Sequence, residues 1–165
     1  MKPENEAGMR PGAIAKALGI ENPNTYTALE ALATQGLAER IPNSDPQEWR
    51  PAERYRRSQK IAALANAVHA GEWTSYGEIS EVMYGHPMGG QAVGMVMLHL
   101  ADQVPSHRVL TYAGEISEYW STSDGKGRDH AASMLRDEGV EVSDDYFANG
   151  RHRVSADVLA ARLAE

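Results

Sequence analysis

The chain has 165 residues, room for one ordinary domain or two small ones, and an apolar fraction of 42% that fits a globular protein. It contains no cysteine, which excludes disulfides, thiolate metal ligands and a cysteine nucleophile together. The formal net charge of −7 argues against a strong, sequence-indifferent grip on phosphate.

The opening residues, MKPENEAGMR, lack the apolar stretch of a signal peptide, and no run approaches the roughly 18 apolar residues of a membrane span. A soluble, cytoplasmic protein is expected. Residues 11–20 read as a short helix, with Pro11 at its start, Ile14, Ala15 and Leu18 on one face, and Gly19 as its stop. Asn22 to Asn24 read as a turn, Asn24 capping a second helix through Gln35 with Ala28, Leu29 and Leu32 facing inward and Gly36 closing it. LAERI and EWRPA read as two short strands around the turn PNSDP. Helix, turn, helix and ribbon is the order of a winged helix-turn-helix, expected over residues 1–55. Arg10 comes so early that the usual first helix is short or absent.

Residues 1–60 carry nine Lys and Arg against eight Asp and Glu, and residues 61–165 carry seven against fifteen. Arg50, Arg54, Arg56, Arg57 and Lys60 face only Glu53, so this run is either a phosphate-facing patch or a solvated linker. Four helices follow, over residues 58–72, 74–85, 89–101 and 127–139; the second is entered through Thr74 and Ser75, and the last ends at Gly139. The third is apolar on most sides and therefore expected at the centre. Residues 104–119 read as extended with turns, and residues 146–165 as an amphipathic helical tail. The fold class expected is mostly α with small β ribbons.

TSYGEIS (74–80), QAVGMVM (91–97), PSHRVL (105–110) and LRDEG (135–139) follow one another in the second part. In this order and spacing they resemble the DNA-binding domain of O6-alkylguanine-DNA alkyltransferases, and still more the alkyltransferase-like proteins, over residues 58–142. The family pattern Pro-Cys-His-Arg-Val supplies the cysteine that takes an alkyl group from a flipped guanine, and Ser106 stands at that position. A serine hydroxyl is much harder to ionise and a much poorer nucleophile, so direct dealkylation is not expected. Alkyltransferase-like proteins also lack the cysteine, usually having tryptophan there, and they pass the bound lesion to repair machinery.

The resemblance implies further roles. Tyr76 matches the tyrosine that presses on the target phosphate and helps turn the base outward; packing alone is the alternative. His107 and Glu138 match the hydrogen-bonded partners of the family cysteine, and Arg108 ties the turn to the fold. Tyr119 matches a tyrosine of the base-binding loop, and Trp120 beside it either stacks on a base or covers the core. Gln91 stands where the family has an arginine that fills the gap left by the flipped base; shorter and uncharged, it implies a weaker wedge or a different preferred base, or instead pairs with an adenine edge. The asparagine that the family places ahead of PSHRV has no counterpart. In the first part, the early residues of the second helix, Asn24, Thr25, Tyr26 and Thr27, and the basic Arg56 and Arg57 are the candidates for DNA contact.

The six histidines lack metal-ligand spacing, Gly89–Gly90 reads as a turn, and GKGRDH lacks a P-loop's context, so no metal or cofactor is expected. The partner expected is double-stranded DNA carrying a modified base, with repair proteins downstream and no membrane. Two other readings remain open. One is a winged-helix transcription regulator with a degenerate second module. The other is a hydrolase using Ser106, His107 and Glu138.

Overall fold

Pro11 opens the first helix, α1 (Pro11–Leu18), where its fixed φ suits the first turn and its missing N–H costs nothing. The computed structural model describes residues 8–18 and 22–164. Gly19, expected to stop α1, lies outside the described residues. The second helix, α2 (Asn22–Thr34), starts earlier than expected: residues 22–24 are its first turn, not a preceding turn with Asn24 as cap. Pro23 in that first turn explains the early start. Gly36 closes α2 at φ +68°, a left-handed conformation that glycine adopts without penalty.

The inward face of α2 is also rotated from the expected one. Thr25 and Leu29 are buried, one turn apart, whereas Ala28 and Leu32 are exposed. Two strands, β1 (Ala38–Arg40) and β2 (Trp49–Pro51), pair antiparallel with Glu39 opposite Arg50, and Trp49 is fully buried.

The chain divides into two compact units between Ser58 and Gln59. Helix α3 (Glu53–Asn66) runs through that point, so the basic run is helical from residue 53 onward, with Arg54, Arg57 and Lys60 exposed on it. The helix expected from residue 58 thus starts earlier, because its first two turns are almost wholly polar and carry no apolar periodicity. Only Ile61, Leu64 and Ala65 of α3 are buried.

In the second unit, strand β3 (Thr74–Ser75) leads directly into α4 (Tyr76–Tyr84). Ser75 alone caps α4, its Oγ accepting the Glu78 amide at 3.1 Å; Thr74 is a strand residue whose hydroxyl donates to the Val154 carbonyl. Helix α5 (Gly90–Leu100) and strand β4 (Val109–Leu110) follow, then α6 (Arg128–Asp137) and α7 (Ala156–Leu163). β4 pairs parallel to β3, Val109 opposite Thr74 and Leu110 opposite Ser75. Successive strand residues point to opposite faces, so Val109 enters one core and Leu110 another. The first core joins α3, α4, α5 and α7 through Ile61, Leu64, Ile79, Val93, Met97 and Leu159. The second gathers Trp73, Ile116, Trp120 and Leu135.

Helix α5 and the C-terminal segment both depart from expectation. Helix α5 is not central: Val93, Met97 and Leu100 are buried, but Met95 and Leu98 on its other side are 58% and 46% exposed. The segment expected as a separate tail contributes Val154 and Leu159 to the first core. Among the described residues, no helix is long and apolar enough to cross a membrane.

Candidate nucleic-acid interface

Tyr76 owes its position to the strand-to-helix junction. Ser75 ends β3 and caps α4, which fixes the backbone of the next residue. The half-buried Tyr76 ring lies along α5 where that helix has glycines: a Cβ on Gly90 would stand 3.5 Å from the Tyr76 Cβ, and one on Gly94 would stand 3.9 Å from its ring. Burial lifts the phenol pKa to about 12, so the hydroxyl stays a neutral donor throughout the physiological range. It has no hydrogen-bond partner among the described residues.

Beside this ring opens a recess of about 830 Å³ between α5 and the loop after β4. Its lining includes Tyr76, Gln91, Ser106, Tyr119 and Trp120, five residues proposed from sequence. Gln91 is exposed on the first turn of α5, and Tyr119 is 75% exposed. Trp120 is only 6% exposed and belongs to the second core, so it is a wall of the recess more than a free stacking surface. The lining also includes Met88, Met95, Leu98 and Tyr112, which the sequence reading missed. The available signal was the excess of apolar residues around α5, more than one buried face requires.

Ser106 is buried in a single helical turn, Ser106–Arg108, and its Oγ donates to the Ala101 carbonyl at 2.9 Å. His107 instead pairs with Glu138, Nε2 to Oε1 at 2.9 Å. Arg108 shares the same carboxylate, donating from Nε at 2.8 Å and Nη2 at 2.6 Å, while its Nη1 reaches the Val68 carbonyl at 2.8 Å. A hydrolytic triad is therefore not assembled: the Ser106 hydroxyl donates to main chain, and among the described residues no hydrogen bond joins it to the His107 ring.

Burial holds the His107 pKa below its ordinary value, against the pull of Glu138 and with help from Arg108. Burial opposes the charge of Glu138 too, but the Arg108 and His107 hydrogen bonds outweigh it and its pKa is lowered. The pair is thus neutral imidazole donating to carboxylate. A histidine with a lowered folded pKa contributes stability in full above its ordinary 6.5 and loses it as pH falls. A carboxylate with a lowered folded pKa contributes above its ordinary 4.5 and loses it as pH falls further. The melting temperature of the second unit should be level between about pH 7 and 8, then decline in acid through both windows. A thermal melt series across pH checks this, and a melting temperature that rises on acidification to about pH 5.5 would contradict it.

The candidates of the first unit are distributed differently. Thr25, expected to reach DNA, is 1% exposed and faces inward; a threonine side chain is small enough to be enclosed there. Tyr26 and Thr27 are exposed, and the side chain of Asn24 lies outside the described part. Arg56 is partly buried with Nη2 3.8 Å from Glu39, and Arg57 is paired with Glu53. Among the described residues, no cluster of histidine and acidic side chains is arranged to hold a metal ion.

The family model for the DNA-binding domain of 6-O-methylguanine DNA methyltransferase matches residues 56–140, just over half of the chain. Among solved structures, the chain is similar to S. pombe Atl1 in complex with damaged DNA containing O6-carboxymethylguanine, with 26% identity over 61% of this chain and 95% of that one, TM-score 0.52. It is also similar to S. pombe ATL in complex with DNA, at 23% identity over 61% and 95% of the two chains, TM-score 0.48. Similarity to Mycobacterium tuberculosis O6-methylguanine methyltransferase is 31% over 49% and 47%, TM-score 0.41. No curated protein matches the sequence. With the matched span running from α3 through α6 and enclosing the recess, the chain belongs to the 6-O-methylguanine DNA methyltransferase family through its DNA-binding domain.

Proposed function

We propose that the protein binds double-stranded DNA, captures a flipped, alkylated guanine-like base in the recess beside Ser106, and does so without chemistry on the base. The observation that carries this reading is the recess itself. It lies in the family's DNA-binding domain, with the unpartnered hydroxyl of Tyr76 at its side and, in its lining, Ser106, which the resemblance sets at the nucleophile's position. Tyr76 presses on the phosphate and helps rotate the nucleotide, Gln91 occupies the vacated stack, and Ser106, Tyr119 and Trp120 line the base. His107, Arg108 and Glu138 hold the floor of the site in shape. Extrusion costs a few kcal/mol, least for a damaged base, which gives a lesion its advantage.

The absence of transfer follows from Ser106. Its hydroxyl donates to a carbonyl and makes no hydrogen bond to the His107 ring, so no base is placed to take its proton. The bound lesion would then be passed to repair proteins, as the resemblance implies. The first unit acts as a winged helix-turn-helix that adds duplex contacts through Tyr26 and Thr27, both exposed on α2. The test is a binding series on duplexes with and without O6-alkylguanine at one stated salt concentration, together with an assay for alkyl transfer to protein. Preference for the modified duplex without transfer is expected. Equal affinity for both duplexes would overturn lesion recognition and favour a sequence-reading regulator, which footprinting would reveal.

A further inference from the structure

A nucleotide that leaves the stack creates two separate deficits in the duplex. The flanking pairs lose the apolar contact of stacking, and the partner base is left with an unpaired hydrogen-bonding edge. Helix α5 offers a different residue for each. Gln91 and Met95 are four residues apart on its exposed side, hence about 5–6 Å apart at their Cβ atoms. A missing base opens a gap of roughly two 3.4 Å steps, so the spacing lets both side chains address one gap.

We propose that Met95 is the wedge that fills the vacated stack, while the Gln91 amide pairs with the edge of the orphaned base. This rests on the nucleotide-flipping reading above and divides between two residues a role that Gln91 alone would otherwise fill. Met95 is 58% exposed, and its neighbour on the same side, Leu98, is 46% exposed, although both are large and apolar. Both line the recess that holds Tyr76, and neither belongs to the hydrophobic cores. Folding gains little from such residues in water. Helix α5 carries no Lys, Arg, Asp or Glu, so this face offers a duplex apolar contact and not phosphate pairing. Proteins that enter the minor groove insert apolar wedges, methionine among them, between base steps. A primary amide has a donor and an acceptor side by side and is suited to a single base edge.

The experiment uses the full chain and duplexes that carry O6-methylguanine opposite each of the four bases, with 2-aminopurine next to the lesion as a stacking probe. Met95→Ala should weaken binding of the lesion duplex about tenfold and lower the fluorescence rise that reports unstacking, with undamaged-duplex binding changed less than about twofold. Met95→Leu should restore most of both signals. Gln91→Ala should instead flatten the dependence on the opposing base. Equal losses for damaged and undamaged duplexes in Met95→Ala, or no loss at all, would overturn the wedge while wild-type lesion preference left the flipping reading standing. A wild-type protein with no lesion preference would overturn both. Because Met95 is exposed, an unchanged melting temperature is expected for each of its variants and separates contact from folding.

Discussion

Replacing Tyr76 by alanine is expected to lower affinity for a duplex carrying an alkylated guanine about thirtyfold, equivalent to ~2 kcal/mol, and to leave undamaged-duplex binding within about threefold. The effect is large because the ring and hydroxyl act in different ways. The ring lies against the glycine side of α5 and packs on the first core, while the hydroxyl is the free donor directed at phosphate in the proposed mechanism. Tyr76→Phe keeps the packing and removes the donor, so it should lose about fivefold, an amount suited to one hydrogen bond to a charged group partly screened by water. Fluorescence anisotropy on the two duplexes, with a thermal melt of each variant, checks both values. Because burial puts the phenol pKa at about 12, the wild-type contact should not fade between pH 6 and about 9. A Tyr76→Ala variant with unaltered lesion preference would remove this residue from the mechanism.

Glu138→Ala should be the most destabilising single change at the site, costing about 3 kcal/mol and lowering the melting temperature of the second unit by roughly 10–15 °C. One carboxylate accepts from His107 and twice from Arg108, and the Glu138 and Arg108 side chains are each only 18% exposed. Without it, a guanidinium is left in a poorly solvated place with one carbonyl as its acceptor, and the turn that carries Ser106 loses its tie to α6. Glu138→Gln retains the shape but not the charge and should cost about half as much. Its melting temperature should also fall less steeply in acid, since the lower of the two titration windows is gone. A melt within 3 °C or so of wild type for Glu138→Ala would show that solvent replaces these bonds freely.

The site was legible in the sequence where its chemistry depends on fixed neighbours along the chain. TSYG places a cap ahead of Tyr76, PSHR compresses Ser106, His107 and Arg108 into one turn, and the Glu138–Gly139 pair ends α6; each of these local arrangements occurs in the fold. Less legible was anything decided by tertiary packing. Nothing local distinguishes Met95 and Leu98 from Val93 and Met97, because an apolar residue left exposed reads the same in sequence as one enclosed in a core. Thr25 shows the converse, a polar residue enclosed because α2 turns that side inward. The polar first half of α3 carries no apolar periodicity, and its helix is anchored from the C-terminal half, where Ile61, Leu64 and Ala65 are buried.

The match to the family ends at residue 140, but the hydrophobic interior does not. Glu78, two residues past Tyr76, binds Arg153 through one oxygen at 2.8 Å and the Ala156 amide through the other at 2.7 Å, while Thr74 reaches the Val154 carbonyl. Arg153 also lies 4.5 Å from the centre of the Tyr112 ring at the mouth of the recess. A recombinant fragment trimmed to the recognisable family span would thus strip the buttress from the helix that begins at Tyr76 and open the interior to solvent at Val154 and Leu159. Closure of the first core takes in α7 as far as Leu159.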